Sequence, residues 1–296
     1  MDTQTVLVSL QSGIGQGSIY ALLALSFTVV YSATGYFHLG IGAFVTLGTV
    51  LAYVGVVDLS LSWPLVIFAA VVLVGVLGVL SEIIAVRPIR GRGTNQNFSV
   101  LVATLAFMIV VQSVIQVFFG SSDQTVPPYA GGSPFSVFGV PIRGVYVIMF
   151  AVLLVVALAF ELVMRRTDVG RVLRAAHDDP TGVELLGVRF DRVVLLTFAL
   201  AGALAGLAGT LISPVSYASP FVGNDLLIYG FAAMAIGGFG SFAGAMVGGL
   251  IIGLVVAFEP VYLSTYLTDP IILLLVLVVL LARPTGLFGR RALREV

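Results

Sequence analysis

Apolar stretches long enough to cross a membrane follow one another along almost the whole chain. A helix needs about 20 apolar residues to span the hydrocarbon core of a bilayer. Segments of that kind can be placed at 6–32, 37–57, 63–84, 98–119, 144–164, 192–213, 239–258 and 266–283, with a shorter run at 226–236. No polar block between them is long enough for a separate globular domain. The sequence therefore predicts one all-α, polytopic integral membrane domain over 1–296, with about eight to nine transmembrane or partly spanning helices.

Composition supports this class of protein and excludes several kinds of site. The chain is 59% hydrophobic and 9% charged, whereas about a quarter of the residues in a soluble domain are charged. Every basic residue is Arg, and an ordinary ATP-hydrolysing P-loop is excluded because that motif needs a Lys on the phosphates. The chain has no Cys, so it has neither disulfides nor thiolate metal sites. No positively charged region precedes the first apolar segment, and we expect that segment to be retained.

The longest strongly charged stretch between apolar segments runs over 165–192 and contains six of the fourteen Arg residues. Within it, Asp179 followed by Pro180 is typical of a helix start, and Gly187 is typical of a helix end. This punctuation predicts a short helix over 180–187 outside the membrane, with an apolar edge available to a partner. The alternative is a solvated connector that only orients the flanking helices.

Two glycine-rich blocks, 37–48 and 230–244, interrupt apolar segments. Interrupted helices in corresponding parts of a transporter point to its binding site, because free backbone groups can face a cavity there. Glycines at helical spacing also let helices pack closely, and we expect Gly240, Gly244 and Gly248 to share one helix face. Both interpretations, a translocation path and helix packing, apply to Gly40, Gly42, Gly237, Gly238, Gly240, Gly244 and Gly248.

Four segments together resemble the permeases of branched-chain amino acid ABC transporters. They are GSIYALLAL at 17–25, the pattern RTxxGRxxRA at 166–175, GGFGSFAGAMVGG at 237–249 and RPTGLFG at 283–289. The chain departs from the family pattern at Phe37-His38-Leu39-Gly40, so no family role is transferred to His38. The resemblance implies a membrane permease subunit of an ATP-driven importer for branched-chain or related small amino acids. Such a subunit is not an enzyme and holds no cofactor of its own.

The same resemblance implies a set of partners and a cellular location. The partners are a second permease (homologous or identical), two ATPase subunits that use the ATP, and an extracytoplasmic solute-binding protein. The chain lies in the prokaryotic plasma membrane, in contact with the lipid bilayer and with no nucleic acid. The 165–192 loop then carries the cytoplasmic coupling helix that docks on the ATPase. The residues implied in this coupling are Gly170, Arg171, Arg174, Asp179, Pro180, Val183, Leu186 and Gly187.

Other functions stay open from the residues alone. A gradient-driven secondary transporter normally needs ionisable groups inside the bundle, whereas Glu82, Glu161, Asp225 and Glu259 fall at segment ends. An ABC permease for urea or short amides is a second alternative. A membrane enzyme is a third, and the spans contain no carboxylate pair, HExxH motif or Ser/His/Asp combination that would support it.

The positions of the Arg residues predict the topology. Positive loops stay in the cytoplasm, which places Arg87, Arg90 and Arg92, the 165–192 loop and the C-terminal Arg residues inside. The 120–143 loop and the N-terminus are then outside. This count requires that 226–236 either spans, with 239–258 returning, or forms a broken re-entrant unit with it.

Overall fold

The computed structural model describes residues 3–90, 95–129, 135–137, 140–167, 170–172, 175, 189–263 and 265–289. The helices in these ranges are α1 Thr3–Thr34, α2 Ile41–Tyr53, α3 Trp63–Ser81, α4 Gln96–Phe119, α5 Gly144–Arg166, α6 Phe190–Ser216, α7 Val222–Gly237, α8 Phe242–Tyr262 and α9 Thr268–Ala282. Two π-helical turns, Val54–Asp58 and Glu82–Val86, extend α2 and α3. A single 3-10 turn, Thr265–Leu267, precedes α9.

Seven helices of the described part are long and apolar enough to cross a membrane. They are Gln4–Thr34, Ile41–Asp58, Trp63–Val86, Gln96–Phe119, Gly144–Arg166, Phe190–Ser216 and Phe242–Tyr262, and two shorter apolar helices are α7 and α9. A small antiparallel hairpin, β1 Phe135–Val137 and β2 Val140–Ile142, belongs to the loop before α5. The predicted all-α, polytopic membrane fold is therefore confirmed.

Helix α1 forms the centre of the bundle, and its residues from Ile19 to Leu25 are almost completely buried. Its small residues let α8 approach its backbone. A Cβ built on Gly17 would lie 3.0 Å from the carbonyl oxygen of Gly249, and one on Gly253 would overlap the Gly17 backbone. The outer helices α4 and α5 expose large apolar side chains, such as Phe118 and Leu158. That surface suits contact with lipid, because the hydrocarbon core offers no partner for polar groups.

A second close seam joins α3 to α6. A Cβ on Gly78 would overlap the carbonyl oxygen of Phe198, and a Cβ on Gly202 would overlap that of Val74. Helix α2 meets α6 in the same way, where a Cβ on Gly48 would lie 2.5 Å from the Gly206 carbonyl oxygen. The hydrophobic effect does not drive helices together in lipid. The close backbone packing that small residues allow at these crossings stabilises the bundle instead.

Helix α7 is longer than the predicted apolar run 226–236 and runs antiparallel beside α8. Gly237 at its end contacts Gly244 near the start of α8, and Ala233 contacts Gly248 one turn further. The backbone N–H groups of Leu287 and Phe288 donate to the carbonyls of Ile236 and Gly237 at 2.9 Å each. The end of α7 therefore lies at the same side of the bundle as the RPTGLFG segment. The antiparallel pairing of α7 with α8 fits both predicted arrangements of this pair.

Candidate functional site

Within the charged loop, the structure describes residues 165–167, 170–172, 175 and 189–192. At the first end, the Gly170 N–H donates to the Thr167 hydroxyl and the Arg171 N–H donates to the Thr167 carbonyl, both at 3.2 Å. A Cβ on Gly170 would overlap the backbone of Met164, so this tight turn after α5 requires glycine. The other predicted coupling residues, Arg174, Asp179, Pro180, Val183, Leu186 and Gly187, and the helix predicted over 180–187 lie outside the described residues.

At the second end of the loop, charges from three segments meet. Arg90 lies between Glu82, at 3.6 Å, and Asp191, with which it forms a close ion pair. Arg87 is 3.5 Å from the other oxygen of Asp191. The guanidinium of Arg90 also lies over the Phe190 ring, 5.6 Å from its centroid. We call Glu82, Arg87, Arg90 and Asp191 the inner charge cluster.

Burial distinguishes the inner charge cluster from an ordinary surface ion pair. The Glu82 side chain is 1% exposed and that of Arg90 is 17% exposed, whereas Asp191 is 54% exposed. Tyr36 lies nearby: burial raises the pKa of its phenol and the positive charge of Arg90 acts in the opposite direction. Sequence reasoning missed this cluster, because Arg90 and Asp191 are 101 positions apart and no local pattern links them.

Helices α2 and α7 both start inside the bundle and not at its surface. A Cβ on Gly42 would lie 2.9 Å from the Met108 sulfur and 3.0 Å from the Gly223 carbonyl oxygen. Met108 is near the midpoint of α4, so the first turns of α2 and α7 meet at mid-height. The connectors that lead to these starts, 35–40 and 217–221, therefore enter the bundle from opposite sides.

Side chains from neighbouring helices satisfy the free N–H groups at these two starts. The Thr104 hydroxyl of α4 accepts from the Leu39 N–H at 3.2 Å, and the Thr46 hydroxyl of α2 accepts from the Gly223 N–H at 3.2 Å. The amide of Gln112 donates to Asn224 at 2.9 Å. Such bonds are necessary because an unpaired backbone N–H in an apolar bundle is costly.

The first predicted interruption, at 37–48, is confirmed in that α2 begins at Ile41 after a break. The second, 230–244, contains the break between α7, which ends at Gly237, and α8, and a further break that the sequence did not indicate lies at 217–221. Residues Gly238 to Ser241 form only the turn between α7 and α8. Gly240 lies in that turn with φ +76°, so it does not share a helix face with Gly244 and Gly248 as predicted.

Most of the predicted glycines lie in close contact with neighbouring segments. A Cβ on Gly237, Gly244 or Gly248 would overlap a backbone carbonyl group of the adjacent helix. Gly238 has φ +114° and packs against Gly289 of the RPTGLFG segment. A Cβ on Gly40 would lie 2.8 Å from the ring of His38. These contacts favour the helix-packing interpretation for most of the set.

His38 lies at the connector before α2 and is 1% exposed. Its Nε2 is 3.3 Å from the Ser81 hydroxyl, and its ring packs against Phe44 and Phe198 with centroids 5.3 and 4.9 Å away. The side chain therefore joins the connector to the end of α3 and to α6. Nothing in this contact set resembles a metal site.

Four aromatic side chains pack together around Phe37 of the same connector. Phe37 stacks on Tyr31 with centroids 5.0 Å apart, and it meets Phe231 and Phe239 edge-on at 5.6 and 5.7 Å. All four side chains are partly exposed. They link the end of α1, the first connector, α7 and the turn after α7.

Three acidic residues lie on α7, α8 and α9. Asp225 occupies the first turn of α7, and its side chain is exposed. One turn later, the Tyr229 hydroxyl donates to Asp269 at 3.0 Å. Glu259 is 6% exposed and accepts from Thr268 at 2.6 Å. Asp225 and Glu259 thus lie in the first and last turns of their helices, at segment ends as expected.

Comparison with known proteins gives a family match over most of the chain. The model of the family described as "Branched-chain amino acid transport system / permease component" matches residues 9–281. The high-affinity branched-chain amino acid transport system permease protein LivH of Salmonella typhimurium is 30% identical over 298 aligned residues, which cover 96% of each chain. Its counterpart BraD of Pseudomonas aeruginosa is 30% identical and covers 98% of each. The ribose import permease protein RbsC of Escherichia coli is 26% identical over 75% of this chain and 67% of its own.

Proposed function

The chain belongs to the family of branched-chain amino acid transport system permeases, and we propose that it is the membrane subunit of an ATP-driven importer for branched-chain or related small apolar amino acids. The observation that carries this proposal is the near full-length match to permeases of that transport system on a polytopic all-α fold. The chain itself is a transport component and not an enzyme.

Two features of the sequence support an external source of energy: the absence of Lys and the charged loop. With no Lys, it has no ordinary P-loop of its own, so ATP is hydrolysed by separate subunits. The 165–192 loop is the surface we assign to their docking, with the predicted helix over 180–187 as the contact. The tight Gly170 turn after α5 and the inner charge cluster before α6 hold the two ends of this loop at the bundle.

The assembly proposed is the one implied by the family. Two permeases, identical or homologous, combine with two ATPase subunits in a prokaryotic plasma membrane, and a binding protein delivers the solute from the outside. The small-residue interior requires no deep pocket of high affinity, because the binding protein selects the solute. The solute path is assigned to the region of the two helix starts, where α2 and α7 meet.

The decisive experiment uses the complex and not the isolated chain. The permease is co-expressed with its partner genes, purified, and reconstituted with the binding protein. Leucine, isoleucine and valine are expected to stimulate ATP hydrolysis and uptake, whereas ribose and urea, the matched negative solutes, are expected to do neither. Stimulation by urea or short amides alone would show that the importer carries that class of solute and not branched-chain amino acids. Uptake that survives ATP depletion would instead support a gradient-driven carrier.

The docking role of the loop has its own test. Burial of one Leu side chain contributes about 1.5–3 kcal/mol, so Leu186→Asp on the predicted apolar edge is expected to uncouple hydrolysis from uptake. Leu186→Met keeps the apolar surface and serves as the matched control. Normal uptake and normal ATPase association in Leu186→Asp would contradict docking at this edge.

A further inference from the structure

We propose that Asp191 is a positioning residue that fastens the exit of the charged loop to the inner end of α3, so that movement of the loop is delivered to α3 and the helix start of α2. The proposal rests on the proposed function, because it assumes that the loop receives the ATPase. It adds to that function a named link through which the movement enters the bundle.

The first support is the position of Asp191. It lies in the first turn of α6, the helix that the chain enters directly from the charged loop. A carboxylate in that turn is favoured by the partial positive charge of the helix N-terminus. Its two oxygens are held by two different guanidinium groups, those of Arg87 and Arg90. The loop exit is therefore tied at two points to the turn that follows the π-helical end of α3.

The second support is that the other end of this link is buried. Arg90 is mostly buried and also pairs with Glu82, which is almost fully buried. Separating a buried carboxylate from its cationic partner is costly, because an uncompensated charge would be left behind. Arg90 also lies over the Phe190 ring, which packs with Ile89 against a buried apolar cluster. Arg90 is thus the buried side of the link, and Asp191 is the exposed group that pairs with it.

The third support is the connection from this anchor into the bundle. Glu82 directly follows Ser81, the last residue of α3, and the Ser81 hydroxyl contacts the His38 ring at 3.3 Å. His38 lies in the connector that leads to the mid-height start of α2. A displacement of Asp191 along α6 therefore moves the end of α3, and the end of α3 moves the connector. The steps are two ion pairs between side chains, the peptide link between Glu82 and Ser81, and the side-chain contact of Ser81 with His38.

The alternative is that Asp191 only stabilises the fold. A second exposed ion pair of the chain provides a matched control that distinguishes the two roles. Glu161 and Arg165 form an ion pair near the end of α5, before the same loop, and their side chains are 54% and 74% exposed. Glu161 is thus as exposed as Asp191, and its ion pair joins it to a neighbour on its own helix. Glu161→Gln removes a carboxylate near the loop without breaking an ion pair between helices in the described part of the chain.

The test measures solute imported per ATP hydrolysed by the reconstituted complex. Asp191→Asn removes the charge but leaves the Glu82–Arg90 pair intact, and it is expected to lower this ratio by about fivefold or more. Asp191→Glu, which keeps the charge, is expected to retain at least half of the normal ratio. Glu161→Gln is expected to behave like the unaltered complex.

Three results would overturn the positioning role. One is a normal ratio in Asp191→Asn. Another is an equal fall in Glu161→Gln, which would show a general effect of loop charge. The third is less assembled complex with an unchanged ratio in what remains, which would show that Asp191 only stabilises the fold. If the unaltered complex imports no solute at the expense of ATP, the proposed function itself fails, and this result is visible without any variant.

Discussion

Two glycines of α3 provide a direct measurement of how closely α3 and α6 pack. Gly75 and Gly78 are both buried and both face α6. A Cβ on Gly78 would overlap the Phe198 carbonyl oxygen and lie 3.3 Å from Gly202 Cα, whereas a Cβ on Gly75 would have its nearest neighbour, the Ala199 carbonyl oxygen, at 3.3 Å. The two substitutions Gly78→Ala and Gly75→Ala therefore differ in one respect, the room available beside α6.

Gly75→Ala is expected to leave the free energy of unfolding unchanged or to raise it, whereas Gly78→Ala is expected to lower it. Replacing a helical glycine by alanine stabilises a helix by about 1 kcal/mol, and overpacking a close interface costs about 1–3 kcal/mol. At Gly75 the neighbour needs to move by only a few tenths of an ångström, so Gly75→Ala is expected to be neutral or up to about 1 kcal/mol more stable. At Gly78 the two backbones must separate, so Gly78→Ala is expected to be about 1–2 kcal/mol less stable.

The chain carries its own probe for this measurement. Its single Trp is Trp63, the first residue of α3, and it packs edge-on against Tyr129 with ring centroids 5.1 Å apart. Unfolding of the purified protein in mild detergent, followed by the fluorescence of Trp63, gives the order of stability of the three proteins. Equal stability of the two variants, or a more stable Gly78→Ala, would refute the close α3–α6 seam.

Three further predictions test other contacts. Gly244→Leu is expected to abolish assembly and uptake, because its side chain would displace the Gly237 backbone; normal membrane yield with normal uptake would contradict this seam. Tyr129→Phe is expected to lower the free energy of unfolding by about 1 kcal/mol, measured by denaturant titration, since its hydroxyl donates to two backbone carbonyls at 3.2 Å. Because the chain has no Cys, Ser121→Cys is expected to react with an impermeant thiol reagent from outside and Ala175→Cys only after permeabilisation, and the reverse pattern would overturn the topology.

The spans could be predicted from the sequence because run length and hydropathy depend on local composition. The prediction failed at the start of α7, where Gly223, Asn224 and Asp225 interrupt the apolar run and favour a loop. In the structure, Thr46 accepts the N–H of Gly223 and Gln112 donates to Asn224. These hydrogen bonds come from helices distant in sequence, and they allow polar residues to begin a helix inside the bundle.

The site was predicted in part for the same physical reason. The close contacts of Gly244 and Gly248 follow from their helical spacing, which is local information. The same spacing wrongly included Gly240, whose positive φ is imposed by the turn between α7 and α8. The pairing of Arg90 with Asp191 joins segments 101 positions apart, and only the packing of α3 against α6 brings them together.

The glycine seams also constrain how the bundle can move. Where a helix backbone lies against the carbonyl groups of its neighbour, as between α3 and α6, rotation or sliding of one helix within the seam would bring backbone atoms into overlap. The seam therefore resists sliding of α6 against α3 near Gly78 and Gly202. The inner charge cluster adds a second attachment between these helices, at the end nearest the charged loop. The connector between α1 and α2, by contrast, is held by side-chain contacts, those of the buried His38, the Thr104 hydroxyl and a partly exposed aromatic group. We therefore expect the transport movement to open between α1 and the α3–α6 pair, at the connector where α2 begins.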